Sequence, residues 1–180
     1  SEMRFATLAG VIAAKVGPDT VAIRVTEPQS LDTDIAIEID SRTYRVGFVN
    51  TGVPHAILFV EDLGSVPVER LGRAIRRHGA FAPAGTNADF VQVMDEGRIT
   101  VRTYERGVEA ETLACGTGAT AAAIISHALK RVSRTPVRVT MPGGELMIDF
   151  SFQEGRYRDV WLIGAVASVF SGTITLNHAA

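Results

Sequence analysis

Short apolar segments bounded by turn signals dominate this sequence and limit its fold more than any other feature. Ten or more of them alternate apolar and polar residues or are continuously apolar, as β-strands do, and only two segments show helical spacing. The predicted strands are Met3–Leu8, Val11–Val16, Thr20–Thr26, Ile35–Ile39, Tyr44–Asn50, His55–Val60, Phe90–Met94, Ile99–Tyr104, Val137–Met141, Glu145–Phe152, Asp159–Ile163 and Ala167–Leu176. Two polar segments, Glu27–Thr33 and Glu105–Ala114, are predicted to be loops.

The first predicted helix follows Pro67, carries apolar residues at helical spacing from Val68 to Ile75, and ends near Gly79. The second, Gly116–Lys130, is rich in alanine and ends in basic residues, as the helix dipole favours. Many antiparallel strands around two helices define an α+β protein. A length of 180 residues predicts one domain, with room for a divided core.

Composition excludes several function classes. Eighteen basic residues against 20 acidic ones give a net charge of −2, too weak a field to bind nucleic acid through its phosphates. The longest nearly apolar stretch, Val160–Phe170, is shorter than the ~20 residues of a membrane-spanning helix, and the first residues do not resemble a signal peptide. A single cysteine allows no internal disulfide and favours a reducing compartment. We therefore expect a cytoplasmic protein without nucleic-acid or membrane partners.

The single cysteine, Cys115, stands at the first turn of the alanine-rich helix. Helix N-termini carry a partial positive charge of ~0.5 e, which would lower the pKa of a thiol from ~8.5 toward neutrality. Gly116 and Gly118 would let the carboxylate of a ligand approach the free N–H groups of that turn. The alternative is that Cys115 is a small buried apolar residue, which is the commoner role of a lone cysteine, but such a residue needs no flanking glycines. The same glycines match a dinucleotide-binding pattern only weakly, since a charged loop precedes them, and no lysine follows to make a P-loop.

Three further polar residues lie at strand ends beside loops, where functional sites collect. They are His55, Asn87 and Glu105. A histidine bonded only to backbone and a turn-forming asparagine are the alternatives for the first two. The four histidines share no spacing with each other or with Cys115 that would bind a metal, so no metal is expected.

Several motifs resemble those of diaminopimelate epimerases over essentially the whole chain. They are Asn50-Thr51-Gly52-Val53-Pro54-His55, Thr86-Asn87-Ala88-Asp89-Phe90-Val91-Gln92-Val93, Tyr104-Glu105-Arg106-Gly107, Ala114-Cys115-Gly116-Thr117-Gly118-Ala119 and Met141-Pro142-Gly143-Gly144-Glu145-Leu146. The resemblance implies cofactor-independent epimerisation of LL- to meso-diaminopimelate by two cysteines, one from each of two similar lobes.

Only one of those two cysteines exists here, so the resemblance is to the second lobe alone. Residues 1–180 would form that C-terminal lobe, with antiparallel strands wrapped around a central helix. Segments of about 1–9 and 167–176 would belong to the edge of the absent first lobe. The chain alone is expected to be inactive or nearly so, and a homodimer is possible, as in full-length relatives.

The resemblance also implies a role for individual residues. Cys115 would be an acid/base thiol, with Glu105 and His55 setting the protonation of the thiols. Asn87, Glu105 and Arg106 would bind substrate, and Gly116 and Thr117 would donate backbone N–H groups to its reacting carboxylate. Val53 departs from the pattern, because many relatives carry a substrate-binding Asn there.

Two other classes of function remain open from the sequence. Cys115 could be the nucleophile of a cysteine hydrolase or transferase with His55 as its base. The chain could also be a non-catalytic fragment or a ligand-binding domain.

Overall fold

The computed structural model describes residues 1–8 and 10–175, which form twelve strands and two α-helices. The strands are β1 Glu2–Thr7, β2 Gly10–Val16, β3 Thr20–Arg24, β4 Gln29–Ile39, β5 Arg42–Asn50, β6 Pro54–Phe59, β7 Asn87–Asp95, β8 Arg98–Glu105, β9 Ala110–Thr112, β10 Val137–Met141, β11 Gly144–Gln153 and β12 Arg156–Ala165. The helices are α1 Val68–Arg76 and α2 Gly116–Ala128. Short 3₁₀ turns at Leu63–Ser65 and Gly79–Phe81 flank α1.

All twelve strands belong to one sheet, which runs β1-β2-β3-β12-β11-β10-β8-β7-β6-β5-β4, with β9 paired to β8. Pairing is antiparallel except between β6 and β7 and between β8 and β10. The chain reaches these two parallel pairs through segments that contain α1 and α2, respectively. The predicted α+β class is confirmed.

Helix α2 is the centre around which the sheet curls. It contacts strands from both halves of the sheet order, β4 to β8 and β10 to β12, and its residues 118–126 are buried. The core on this side joins Ile124 and Ile125 of the helix to strand residues such as Ile57, Val91 and Val101. A second core, under α1, lies on the opposite side of the central strands. The prediction of a divided core is thus confirmed.

Strict alternation in three central strands separates these two cores. Toward α2 point Ile57 and Phe59 from β6, Val91 and Val93 from β7, and Ile99 and Val101 from β8. Toward α1 point the intervening residues, among them Ala56, Ala88 and Phe90. By the same alternation His55, Asp89 and Thr103 lie on the α2 side, and we call these three residues the polar cluster.

Three predictions about local structure were wrong. Residues 167–175 form no strand, and Leu176 lies outside the described residues. Both edges of β12 are already paired, to β11 and β3, so the apolar segment after it meets no open edge there, and Val169 and Phe170 are largely exposed. The segment Glu27–Thr33 was predicted to be a loop, but from Gln29 onward it belongs to β4, because pairing with β5 continues through two register shifts. The loop Glu105–Ala114 contains β9.

The predicted segment 1–9 forms β1 as far as Thr7 and pairs with β2, at one end of the sheet. Its association with a further lobe stays a prediction.

Among the described residues, no helix is long and apolar enough to cross a bilayer.

Candidate active site at the start of the central helix

Cys115 is the N-cap residue of α2, with extended backbone angles of φ −138° and ψ 107°. The Ala119 N–H makes a 2.8 Å bond to the Cys115 carbonyl, the first backbone bond of the helix. The three residues before Ala119 are Gly116, Thr117 and Gly118, and their N–H groups therefore have no partner within the helix. Together with the helix dipole, they form a site that suits a carboxylate.

The Cys115 thiol is buried, with 8% of the residue exposed. Burial, and then the negative charges of Asp89 and Glu105, raise its pKa to about 11, whereas the Thr117 hydroxyl and the Gly118 N–H act in the opposite direction. The prediction of a lowered pKa was therefore wrong. A helix N-terminus stabilises a thiolate, but here desolvation and two carboxylates outweigh it.

A chain of hydrogen bonds connects the thiol to the polar cluster. Cys115 Sγ lies 3.5 Å from Thr117 Oγ1, which lies 3.0 Å from His55 Nε2. His55 Nδ1 is 2.7 Å from Asp89 Oδ2. The imidazole is fully buried and bonded to side chains, so the alternative of a histidine bonded only to backbone was wrong.

Asp89 is the member of this chain that the sequence analysis missed. Its other oxygen accepts a 2.7 Å bond from the Thr103 hydroxyl, directly opposite on β8. Both residues are fully buried. The available signal was the alternation of β7, which places a carboxylate on the same side as Val91 and Val93.

Gly118 makes room for this carboxylate. A Cβ built on Gly118 would lie 2.5 Å from Asp89 Oδ1 and 3.3 Å from Cys115 Sγ, so any side chain there would force a displacement. The glycine expected to admit a ligand therefore also admits Asp89.

Asn87, the first residue of β7, and Arg106, just after the end of β8, come together. The Asn87 side chain accepts the Arg106 backbone N–H at 2.7 Å and donates to the Pro54 carbonyl at 2.9 Å. The Arg106 guanidinium donates to the Ala84 carbonyl at 3.0 Å. Asn87 thus links the start of β6 to the residue after β8 rather than forming a turn, and both side chains are engaged within the chain.

Glu105 ends β8 and acts on Cys115 through its charge. Val53 is partly buried and offers no side-chain hydrogen bond.

Two surface clefts of about 660 and 670 Å³ lie away from this position and are not lined by Cys115. Within residues 1–8 and 10–175, no group of three or more His, Cys, Asp and Glu side chains is placed to hold a metal ion. His178 lies outside these ranges.

Comparison with solved structures shows that the fold is that of proline racemase and PhzF proteins. A probable proline racemase from Agrobacterium radiobacter K84 matches with a TM-score of 0.70 at 16% identity, covering 98% of this chain and 61% of the other. A Bacillus anthracis phenazine biosynthesis protein of the PhzF family also matches with a TM-score of 0.70, at 13% identity, covering 92% and 67%. The likeness at these identities is one of fold.

Within that fold class, the chain belongs to the diaminopimelate epimerase family. The sequence pattern of the family, described as diaminopimelate epimerase, matches residues 47–166. The diaminopimelate epimerase of Aquifex aeolicus (strain VF5) is 47% identical over 177 residues, covering 97% of this chain and 62% of that protein. The one from Hydrogenobaculum sp. (strain Y04AAS1) is 40% identical, covering 95% and 61%. The chain thus spans about three fifths of the length of these relatives, and the family resemblance is confirmed.

Proposed function

We propose that this chain supplies one half of an active site that epimerises LL-2,6-diaminopimelate to the meso form by thiol acid/base chemistry, without a cofactor. The observation that carries the proposal is the position of the only cysteine, at the N-cap of α2 beside three N–H groups that have no partner within the helix. Membership of the diaminopimelate epimerase family supports the choice of substrate.

The start of α2 addresses the chief difficulty of the reaction. The α-hydrogen of an amino acid is very weakly acidic, and its removal leaves negative charge that spreads into the adjacent carboxylate. The Gly116 and Thr117 N–H groups would donate to that carboxylate, and their stabilisation would grow as the charge develops. One such donor typically contributes ~3 kcal/mol to the transition state.

The protonation of Cys115 assigns its part in the first turnover. With a pKa raised to about 11, it carries its proton at neutral pH. The α-C–H bond would break toward a base from outside this chain, and the electron pair would pass into the carboxylate. Cys115 would then release its S–H proton to the opposite face of the α-carbon and become a thiolate. In the reverse direction Cys115 starts as the thiolate and removes that proton.

Four other residues complete the proposed half-site. Asn87 and Arg106 would bind the distal end of the substrate, since each keeps donors beyond those used within the chain. The Glu105 carboxylate can attract an ammonium group, and its charge adds to burial and to Asp89 in raising the pKa of Cys115. His55 influences the thiol through Thr117 rather than by direct contact.

Deuterium exchange tests the proposal with the chain as it stands. meso-Diaminopimelate, whose α-hydrogen at the inverted centre would face Cys115, is incubated in D₂O with the wild-type chain or with Cys115→Ala, and the α-hydrogens are followed by NMR while a chiral assay follows LL product. We expect slow exchange at one α-carbon that depends on Cys115, rises with pH as the thiolate forms, and produces little LL form, because the second thiol is absent.

Two results would contradict this proposal. Exchange that is unchanged in Cys115→Ala would exclude the thiol as acid or base. Interconversion of the meso and LL forms at ordinary enzyme rates by this chain alone would exclude a half-site. Acylation of Cys115 followed by turnover would instead indicate a cysteine hydrolase.

A further inference from the structure

Asp89 is a buried carboxylate to which the proposed reaction assigns no role. It has no solvent exposure and lies on the α2 side of β7, where the next residues facing the same way are Val91 and Val93. A carboxylate in such a place is destabilising unless hydrogen bonds compensate for its lost hydration. Its two oxygens have those bonds, one from Thr103 and one from His55.

We propose that Asp89 is a positioning residue of the thiol site, which holds His55 as the tautomer protonated on Nδ1 and so orients the hydroxyl between His55 and Cys115. This deepens the proposed function and rests on it for its catalytic meaning. The arrangement itself can be measured without substrate.

The inventory of donors and acceptors leads to this assignment. An ionised carboxylate only accepts hydrogen bonds, so Asp89 Oδ2 at 2.7 Å requires the proton of His55 on Nδ1. Nε2 of the neutral ring is then an acceptor, and the Thr117 hydroxyl 3.0 Å away must donate to it. The free lone pairs of that hydroxyl remain for the Cys115 S–H at 3.5 Å. Every bond then runs from the thiol toward the carboxylate.

This direction agrees with the state of the thiol. A Cys115 that donates to Thr117 carries its proton, which is consistent with its raised pKa, and a Thr117 hydroxyl that gives its proton to His55 can no longer lower that pKa by donating to the thiolate. Asp89 contributes in a second way, through its charge. Its Oδ1 and Cys115 Sγ are within about 6 Å of each other, because both lie close to the same point above Gly118. Two negative charges at that distance inside a protein disfavour thiol ionisation by tenfold or more.

Thr103 and Glu105 are the other groups that bear on this network. Thr103 bonds only to the carboxylate and carries no charge, and Glu105 raises the pKa of Cys115 independently of His55. A purely structural role for Asp89 would be to join β7 to β8 through Thr103. That role requires neither a fixed tautomer nor an effect on Cys115.

The first test is the tautomer of His55 in the wild-type chain at pH 7.5. Long-range ¹H–¹⁵N spectra distinguish the protonated from the unprotonated ring nitrogen, and the His55→Gln spectrum assigns the signals. We expect a protonated Nδ1 and an unprotonated Nε2. A proton on Nε2, with or without one on Nδ1, would overturn the proposal, and this measurement needs no variant of Asp89 to fold.

The second test compares Asp89→Asn with the matched variant Thr103→Val by alkylation of Cys115 as a function of pH. Asp89→Asn is expected to admit the second tautomer and to increase alkylation at pH 8 about tenfold, as removal of a nearby charge requires. Thr103→Val keeps the charge and the bond to His55, so its tautomer and pH profile should match the wild type. Equal profiles for Asp89→Asn and the wild type, with a folded chain by circular dichroism, would refute the role.

The two proposals fail separately. Loss of Cys115-dependent deuterium exchange with the expected tautomer intact would reject the epimerase function alone. The opposite tautomer, with exchange present, would reject the role of Asp89 alone.

Discussion

The ionisation of Cys115 decides which acid/base role this thiol can take, and it can be measured by varying pH. The position at a helix N-cap predicts a pKa below the usual range, whereas burial and the charges of Asp89 and Glu105 place it at about 11. These expectations lie on opposite sides of the ordinary thiol value, so one titration separates them.

The expected magnitude follows from the thiolate fraction. A rise from 9.0 to about 11 lowers that fraction at pH 8 about 100-fold, since each pKa unit changes it about tenfold well below the pKa. Iodoacetamide reacts with the thiolate only, so its rate constant with the native chain should still be rising at pH 10. The inflection, rather than the absolute rate, is diagnostic, because restricted access lowers the rate equally at every pH.

Mass spectrometry gives the rate constant, and the chain contains no second cysteine to confuse it. The control is the same chain unfolded in guanidinium chloride, whose thiol should show the inflection of an ordinary cysteine. Circular dichroism at each pH confirms that the native sample remains folded. An inflection at or below pH 8.5 in the native chain would show that the helix N-terminus affects the pKa more than burial and the two carboxylates do. It would refute both the claim that Cys115 is protonated at neutral pH and its assignment as proton donor.

Two further predictions concern stability. Gly118→Ala should destabilise the chain by about 1–2 kcal/mol in urea unfolding, because a Cβ 2.5 Å from Asp89 Oδ1 overpacks the site by more than the ~1 kcal/mol that alanine gains in a helix. Gly79→Ala, where a Cβ would meet nothing within 4 Å, is the control and should be neutral or slightly stabilising, and equal effects would contradict the packing argument. Between pH 9 and 11 the folded chain retains a thiol proton that the unfolded chain largely loses, so the wild type should lose about 2 kcal/mol more stability over that range than Cys115→Ala. Parallel stability curves for those two proteins would contradict the raised pKa.

Much of the fold could be predicted because it depends on local patterns. Alternation identified strands such as His55–Val60, and helical spacing with terminal signals identified α1 and α2. Residues 167–175 show the limit of this reasoning, because an apolar segment becomes a strand only where it reaches an unpaired edge, and both edges of the preceding strand β12 are occupied. The start of β4 at Gln29 shows the converse, since pairing with β5 extends a strand through polar residues.

The position of the candidate site at the start of α2 could be predicted from the sequence, but its electrostatics could not. Gly116 and Gly118 at a helix start pointed to Cys115 from local sequence alone. The pKa of the thiol depends first on burial and then on the charges of Asp89 and Glu105, which reach it from β7 and β8 through the register of the sheet. Asp89 lies two residues after Asn87 in the same motif, and the sequence analysis assigned a role only to Asn87.

Strand register creates this site as much as residue identity does. In the observed pairing, Asp89 faces α2 and Ala88 faces the core under α1. A slip of β7 by one residue would exchange them, which would bury the carboxylate among apolar side chains and leave an alanine next to His55. The free energy lost by burying an unpaired carboxylate, several kcal/mol, opposes that slip. The polar cluster thus helps to specify the register of the central strands, and that register in turn places the cluster at the positive end of α2.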